Sequence, residues 1–297
     1  MPTPSSRRSV LMAGLSLAGL SLAGLAGCAS PPPPPARITL PPRLKATPGL
    51  VDEPSLLGLN AIIDLHHGNG VKSFTAARDE SGILAVIHKA SEGDWLDPKY
   101  DERRALAQES GLLWGAYHFG TRQHPGRTQA RIFLAAAKPD AATLLVLDLE
   151  LNERVPSNSM QLDQAEEFVR EVAVATGRLP LLYSHPAWAD GEVMRGSSLG
   201  GAIQPGSALA ACDLWLADYR YEPELPRAWG SKGWSLWQYA GDNFTSGGPF
   251  RDQARMVKGI DRCDRSIFAG TRESLSRYWT GSAAPARVGT NRLVSRV

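Results

Sequence analysis

The chain has 297 residues, 43% apolar and 21% charged, a composition that suits one globular domain and leaves residues over at both ends. A formal net charge of +2 is too small to hold a polyanion, so nucleic acid is excluded as an expected partner. Much of the basic excess lies in the flanks, at Arg7, Arg8, Arg287, Arg292 and Arg296.

In chain order, Arg7-Arg8 precede a Gly-, Ala- and Leu-rich stretch, 10–26, that closes on small residues at Cys28. A charged start, a short apolar run and a small-residue exit describe an export signal, and the run is marginal for a spanning helix. Ser6-Arg7-Arg8-Ser9-Val10-Leu11 resembles a twin-arginine export motif. Leu25-Ala26-Gly27-Cys28 resembles the lipobox of bacterial lipoproteins, in which the Cys thiol is acylated. Residues 1–27 are therefore expected to be a lipoprotein signal, and lipidated Cys28 a membrane anchor in the cell envelope, facing the periplasm or exterior. An ordinary cleaved signal with a stray Cys, or an uncleaved anchor, is the alternative. Pro31 to Pro35 is an unbroken run, and Pro41, Pro42, Pro48 and Pro54 follow, so residues 28–56 read as an extended tether. Residues 281–297, rich in Ala, Arg, Gly and Ser, read as a disordered tail. Residues 57–280 remain as one barrel-sized domain, expected to be a monomer.

Inside that domain, short apolar runs alternate with amphipathic stretches. Strands are predicted at 61–65, 84–88, 113–119, 143–150, 179–184, 214–219, 235–239 and 257–261, and helices at 97–110, 126–137 and 161–176. Buried strands alternating with helices imply parallel pairing. Between Trp215 and Asp261 only strands and loops are legible. The fold class predicted is α/β: an irregular TIM-like barrel of eight strands that loses its helices towards the C-terminal end. Cys212 and Cys263 then fall at opposite rims, too far apart for a disulfide, and are predicted to stay thiols.

Four predicted strands end in or beside an acid: Asp64, Asp148 with Glu150, Asp218 and Asp261. Active sites of βα barrels sit at that end of the strands. Asp also caps helices and fills turns, so the repetition carries more weight than any one acid. The sharpest segment is Leu144-Leu145-Val146-Leu147-Asp148-Leu149-Glu150. Residues two apart on a strand share a face, which sets Asp148 and Glu150 together at roughly 6–7 Å between Cα atoms. Two such carboxyls in a partly dry cleft repel, and one retains its proton near neutral pH. That is the requirement for cleaving a glycosidic bond.

Tyr117, Tyr183, Tyr219, Trp237 and Tyr239 lie near predicted strand ends, and Trp95 and Trp188 in loops beyond them. Sugar rings present C–H faces that stack on aromatic surface, so these residues, converging on an acidic rim, favour a carbohydrate cleft. His66-His67, His88 and His118 lack zinc-like spacing, and no metal or other cofactor is expected. Of the histidines, His118 is the one expected to touch substrate. No Gly-x-Ser-x-Gly elbow occurs, which leaves no serine triad to consider.

In order along the chain come Ile62-Ile63-Asp64-Leu65-His66-His67-Gly68, Ile87-His88-Lys89-Ala90-Ser91-Glu92-Gly93, Gly115-Ala116-Tyr117-His118-Phe119 and Leu147-Asp148-Leu149-Glu150. Leu182-Tyr183-Ser184, Leu214-Trp215-Leu216-Ala217, Trp237-Gln238-Tyr239 and Gly259-Ile260-Asp261 complete the series. Together they resemble the family 25 glycoside hydrolases, the Chalaropsis-type lysozymes. The resemblance implies metal-free hydrolysis of the β-1,4 bond between N-acetylmuramic acid and N-acetylglucosamine, with peptidoglycan strands as the partner. It implies Glu150 as proton donor and Asp148 as its partner, set to orient the acetamido group where that group is the internal nucleophile. It implies Asp64 and Asp261 as further cleft carboxylates. Asp218 and residues 191–211 receive no role from it. A glycan-binding lipoprotein without turnover, and hydrolysis of another amino-sugar polymer such as chitin, are the competing readings.

Overall fold

The computed structural model describes residues 54–241 and 248–281, so the expected signal, Cys28, nearly all of the Pro-rich tether and residues 282–297 lie outside the described residues. Among the described residues no helix is long and apolar enough to cross a membrane. The elements in order are β1 (Leu59–Leu65), α1 (Phe74–Ser81), β2 (Ala85–Glu92), β3 (Trp95–Leu96), α2 (Tyr100–Glu109), β4 (Leu113–Phe119), α3 (Gly126–Ala137) and β5 (Thr143–Asp148). There follow α4 (Leu162–Thr176), β6 (Leu181–Ser184), α5 (Pro186–Ala189), α6 (Ala208–Ala211), β7 (Leu214–Ala217), β8 (Leu236–Ala240), β9 (Asp264–Phe268) and α7 (Arg272–Trp279).

The strands run β1-β2-β4-β5-β6-β7-β8-β9, and β9 pairs again with β1, closing an eight-stranded barrel; β3 is a short addition folded back on β2. Successive barrel strands from β1 to β8 are parallel, whereas β9 is antiparallel to both β8 and β1. The α/β barrel read from the sequence is therefore present, and so is its loss of helices. Among the described residues between β7 and β9 only short 3-10 turns remain, Arg227–Trp229 and Arg251–Arg255.

The eighth strand is not where the sequence placed it. Residues 257–261 form no strand: Gly259 takes a left-handed φ of 77°, which interrupts an extended run, and Ile260 makes only an isolated antiparallel bridge to Val71, in the loop after β1. The barrel closes through β9, three residues further on. Because β9 runs the other way, its first residue, Asp264, lies at the rim where the parallel strands end, opposite Asp64 of β1.

The core has two shells. Between sheet and helices, Phe133 of α3 packs on Phe168 of α4 (ring centroids 5.7 Å apart), beside Val169 and Val172. The period of Ala165, Phe168, Val169 and Val172 that predicted this helix is its buried stripe. Inside the barrel Ile62, Ile87, Val146, Leu181, Trp215, Leu236 and Phe268 meet Leu275, Tyr278 and Trp279 of α7. Helix α7, which the sequence reading did not anticipate, starts on a capping box between Thr271 and Ser274. It leaves the far end of β9 and so closes the end of the barrel opposite the acidic rim. The indole of Trp279 donates to the Trp114 carbonyl at 2.7 Å. Cys212, before β7, and Cys263, before the reversed β9, are buried at opposite ends and share no disulfide, as expected.

Trp279→Ala is expected to lower unfolding free energy by about 3–5 kcal/mol, because it leaves a large cavity in the closed end. Urea denaturation of the two proteins would measure it; a loss below about 1 kcal/mol would mean that α7 is not part of the core.

Candidate active site

Side chains alternate across each strand, and at the C-terminal rim of the parallel strands the inward set is polar. Asp64 (β1), Lys89 (β2), Asp148 (β5), Tyr183 (β6), Gln238 (β8) and Asp264 (β9) belong to it, with apolar Phe119 (β4), each on the same parity as residues of the inner shell below; Glu92 of β2 joins them because the register slips by one between Lys89 and Ser91, which sets it beside Phe119. Glu150 follows the end of β5 and is partly open to solvent, as are Asp64 and Asp264, whereas Asp148 is buried. The structure brings Asp64, Asp148 and Glu150 into one electrostatic cluster with Asp264.

Gln238 organises one side of this cluster. Its amide nitrogen donates to both oxygens of Asp64, at 3.1 and 3.0 Å, and to Asp264 at 3.4 Å. Its amide oxygen accepts from the Tyr183 hydroxyl at 2.9 Å and the Tyr219 hydroxyl at 2.6 Å. Two hydroxyl donors on one end and two carboxylates on the other fix which way the amide points. Gly241 passes so close that an added Cβ would stand 2.8 Å from the Tyr219 hydroxyl, so the backbone itself forms part of this wall.

On the other side Lys89 pairs with Glu92 at 2.7 Å, and its ammonium lies 4.9 Å from the ring centre of Phe119 and 5.7 Å from that of Tyr117. Burial raises the pKa of Glu150 from 4.5 to about 7; Lys89 opposes the rise, while Asp264 and Glu153 add to it. Asp148 is also held well above the carboxylate range, by burial and then by the neighbouring Glu150, with Lys89 again opposing. Asp64 is raised by burial and by Asp264, against the hydrogen bond from Gln238. The carboxyls titrate as a coupled set that keeps protons near neutrality. The Oδ1 atom of Asp148 is buried and has no hydrogen-bond partner, an unmet acceptor in the middle of the cluster.

Not every residue anticipated from the sequence reaches this cleft. Asp261 is half-exposed and paired with Lys72 at 2.7 Å, outside the barrel; Asp264 holds the position expected of it, because an antiparallel strand brings its start to the rim. His118 points outward, hydrogen-bonded to Ser91 at 2.8 Å and Gln129 at 3.0 Å and stacked on Phe168, and burial lowers its pKa to about 4. Trp237 and Tyr239 flank Gln238 and so face the other way. Trp237 donates to the Asp218 carbonyl at 2.6 Å, and Tyr239 bonds to Asn60 and Gln253. Trp188 is wholly buried. Of the anticipated aromatics, Tyr117, Tyr183 and Tyr219 line the cleft interior, and Trp95 stands exposed at its edge.

Asp218, which the sequence left without a role, is a loop clamp. Its carboxylate accepts from the Arg220 guanidinium at 2.9 and 2.7 Å and from the Glu224 backbone at 2.8 Å. Asp264, Gln238, Lys89, Glu92 and Phe119 are cleft residues to which sequence reasoning gave no role. The available signal was parity: Lys89 lies two residues beyond inward Ile87, and Gln238 two beyond inward Leu236.

Glu150 offers a direct check on the cluster. Its proton affinity is higher in the folded chain than in the unfolded one, so stability present below about pH 4.5 is lost as pH rises towards 7. Glu150→Gln removes that loss. It is expected to be more stable than the parent at pH 8, by roughly 2 kcal/mol, with the gap closing at pH 4. Thermal unfolding across pH measures this, and a pH-independent gap would contradict a partly buried, proton-retaining Glu150.

The glycosyl hydrolases family 25 model matches residues 63–248. The uncharacterised protein YegX of Escherichia coli K12 is 26% identical over 196 residues, covering 65% of this chain and 62% of its own, so the chain spans under two thirds of that relative's length. Among solved structures, the bacterial lysozyme of Streptomyces coelicolor superposes with a TM-score of 0.62 at 23% identity, over 76% of this chain and 99% of its own. A family GH25 lysozyme of Aspergillus fumigatus gives 0.58 at 26% identity, over 74% and 97%.

Proposed function

The chain belongs to the family 25 glycosyl hydrolases, and from that premise we propose that it hydrolyses the β-1,4 bond between N-acetylmuramic acid and N-acetylglucosamine in peptidoglycan. The observation that carries the reading is Glu150, kept protonated up to about pH 7 beside Asp148 of the strand it follows and carboxyls on two other strands, β1 and β9. An acid poised near the working pH is what departure of a sugar oxygen requires.

In the proposed reaction Glu150 gives its proton to the glycosidic oxygen as the C–O bond breaks. The acetamido oxygen of the same sugar bonds to the anomeric carbon and takes up its positive charge. Asp148, whose Oδ1 has no partner among the described residues, accepts the acetamido N–H and turns that group towards the carbon. Water then attacks the anomeric carbon, returns a proton to Glu150 and releases the acetamido group. Asp64 and Asp264, tied together through Gln238, supply negative potential on the other side of the sugar.

Glu150→Gln is expected to cut release of reducing ends from peptidoglycan by about a hundredfold or more. Mass spectrometry of the muropeptides identifies the bond cut, and chitin digested in parallel identifies the polymer. New N-acetylglucosamine reducing ends, chitin as the better substrate, or equal activity of the variant would each overturn the assignment.

We also propose that the enzyme works from a membrane in the envelope, exported through the Arg7-Arg8 signal and acylated at Cys28. The Leu25-Ala26-Gly27-Cys28 segment and the proline run after it support this, since an extended spacer would let an anchored barrel reach the wall. Labelled fatty acid should enter the full-length chain and be absent from Cys28→Ser; equal labelling of both would refute the anchor.

A further inference from the structure

Seven of the eight tryptophans are 0–2% exposed; the eighth, Trp95, is 41% exposed. It sits on β3, the two-residue strand that folds back on β2, directly opposite Glu92. Residues opposed in an antiparallel pair project to the same face, and Glu92 is on the cleft face, where it holds Lys89 at 2.7 Å. The indole therefore lies on the cleft side of the rim, beyond the carboxylates, and is partly open to solvent.

Its orientation is built. The His67 ring meets the indole edge-on, with centroids 5.0 Å apart and planes at 62°. His67 is in turn held by Asp97, whose carboxylate is 0% exposed and accepts from the His67 backbone at 2.8 Å, contacts its Nδ1 at 3.2 Å, and accepts from the Lys99 backbone at 2.9 Å. Asp97 is anchored to β2 through the Ala90 carbonyl. A buried carboxylate thus fixes a histidine that fixes an exposed indole, beside a cleft that carries a chain-like substrate. We propose that Trp95, backed by His67, is a stacking platform for a pyranose ring of the same glycan strand, outside the two sugars that share the scissile bond. The C–H face of the ring would lie on the exposed indole face, and longer strands would gain what shorter ones cannot.

This rests on the glycan-hydrolase reading, and the test separates the two. Peptide-free glycan strands of graded length are digested by the full-length protein and by Trp95→Ala and Trp95→Phe. The alanine variant should lose about tenfold in kcat/KM on the longest strands and under twofold on the shortest strand cleaved, while the phenylalanine variant keeps most of the preference. His67→Ala should lower the length preference less, acting only through the indole. Because the comparison is made within each variant, loss of folded protein cancels. An equal loss at every length, or none, would overturn the platform. Binding of the same strands by Glu150→Gln and by the double variant Glu150→Gln/Trp95→Ala reads the platform without turnover. If the parent cleaves no strand, the hydrolase reading fails, while a tenfold weaker affinity of the double variant for long strands alone would still uphold Trp95, and equal affinities would reject it.

Discussion

Crowding of carboxyls at one end of a closed barrel is the constraint on which the site depends. Asp64, Asp148, Glu150 and Asp264 reach that end from different places in the chain, and burial there penalises the charge on the first three. Lys89 on β2 is a cation that opposes the rise at Asp148 and Glu150, and it is itself engaged by Glu92. A cluster with more potential negative charges than positive ones retains protons. The fold meets the cost with packing elsewhere, above all in the interleaved apolar shells inside and outside the sheet. This is the usual position of an active site: strained electrostatics held by a scaffold that does not depend on them.

The reversed strand is what completes the cluster. Had β9 run parallel with its neighbours, Asp264 would lie at the end that α7 closes, and the rim would lack it. Reversal places Asp264 next to Asp64 and brings both within reach of a single amide, that of Gln238. The same reversal sends the chain after β9 to the opposite end, where Leu275, Tyr278 and Trp279 fill the inner shell. One change of direction thus supplies a carboxylate to one end of the barrel and a plug to the other.

The outward faces explain the residues that looked functional and are not. His88 contacts the Arg103 guanidinium at 3.0 Å, and His118 joins Ser91 to Gln129, both between sheet and helices. Polar groups buried there satisfy one another and tie the helical layer to the strands. Asp218 does similar work for the loop after β7. Trp237 and Tyr239 belong to the packing around it. Their closeness in sequence to the cleft residues reflects alternation along a strand, in which each inward side chain is flanked by two outward ones.

By itself the sequence determined the α/β barrel, the thinning of helices from β7 onward and the common face of Asp148 and Glu150, because hydrophobic period and strand alternation are local properties of a few consecutive residues. It also contained the parity of every strand. Both faces of these strands are buried, however, so neither parity is marked by polarity until near the rim, and Tyr117 and His118 looked equivalent. Which face turns inward, that the last strand is reversed, and that Asp264 rather than Asp261 stands by Asp64 were decided only when the barrel closed. Closure joins residues about 200 positions apart, from β1 to β9, and no local pattern records where such a long-range pairing falls.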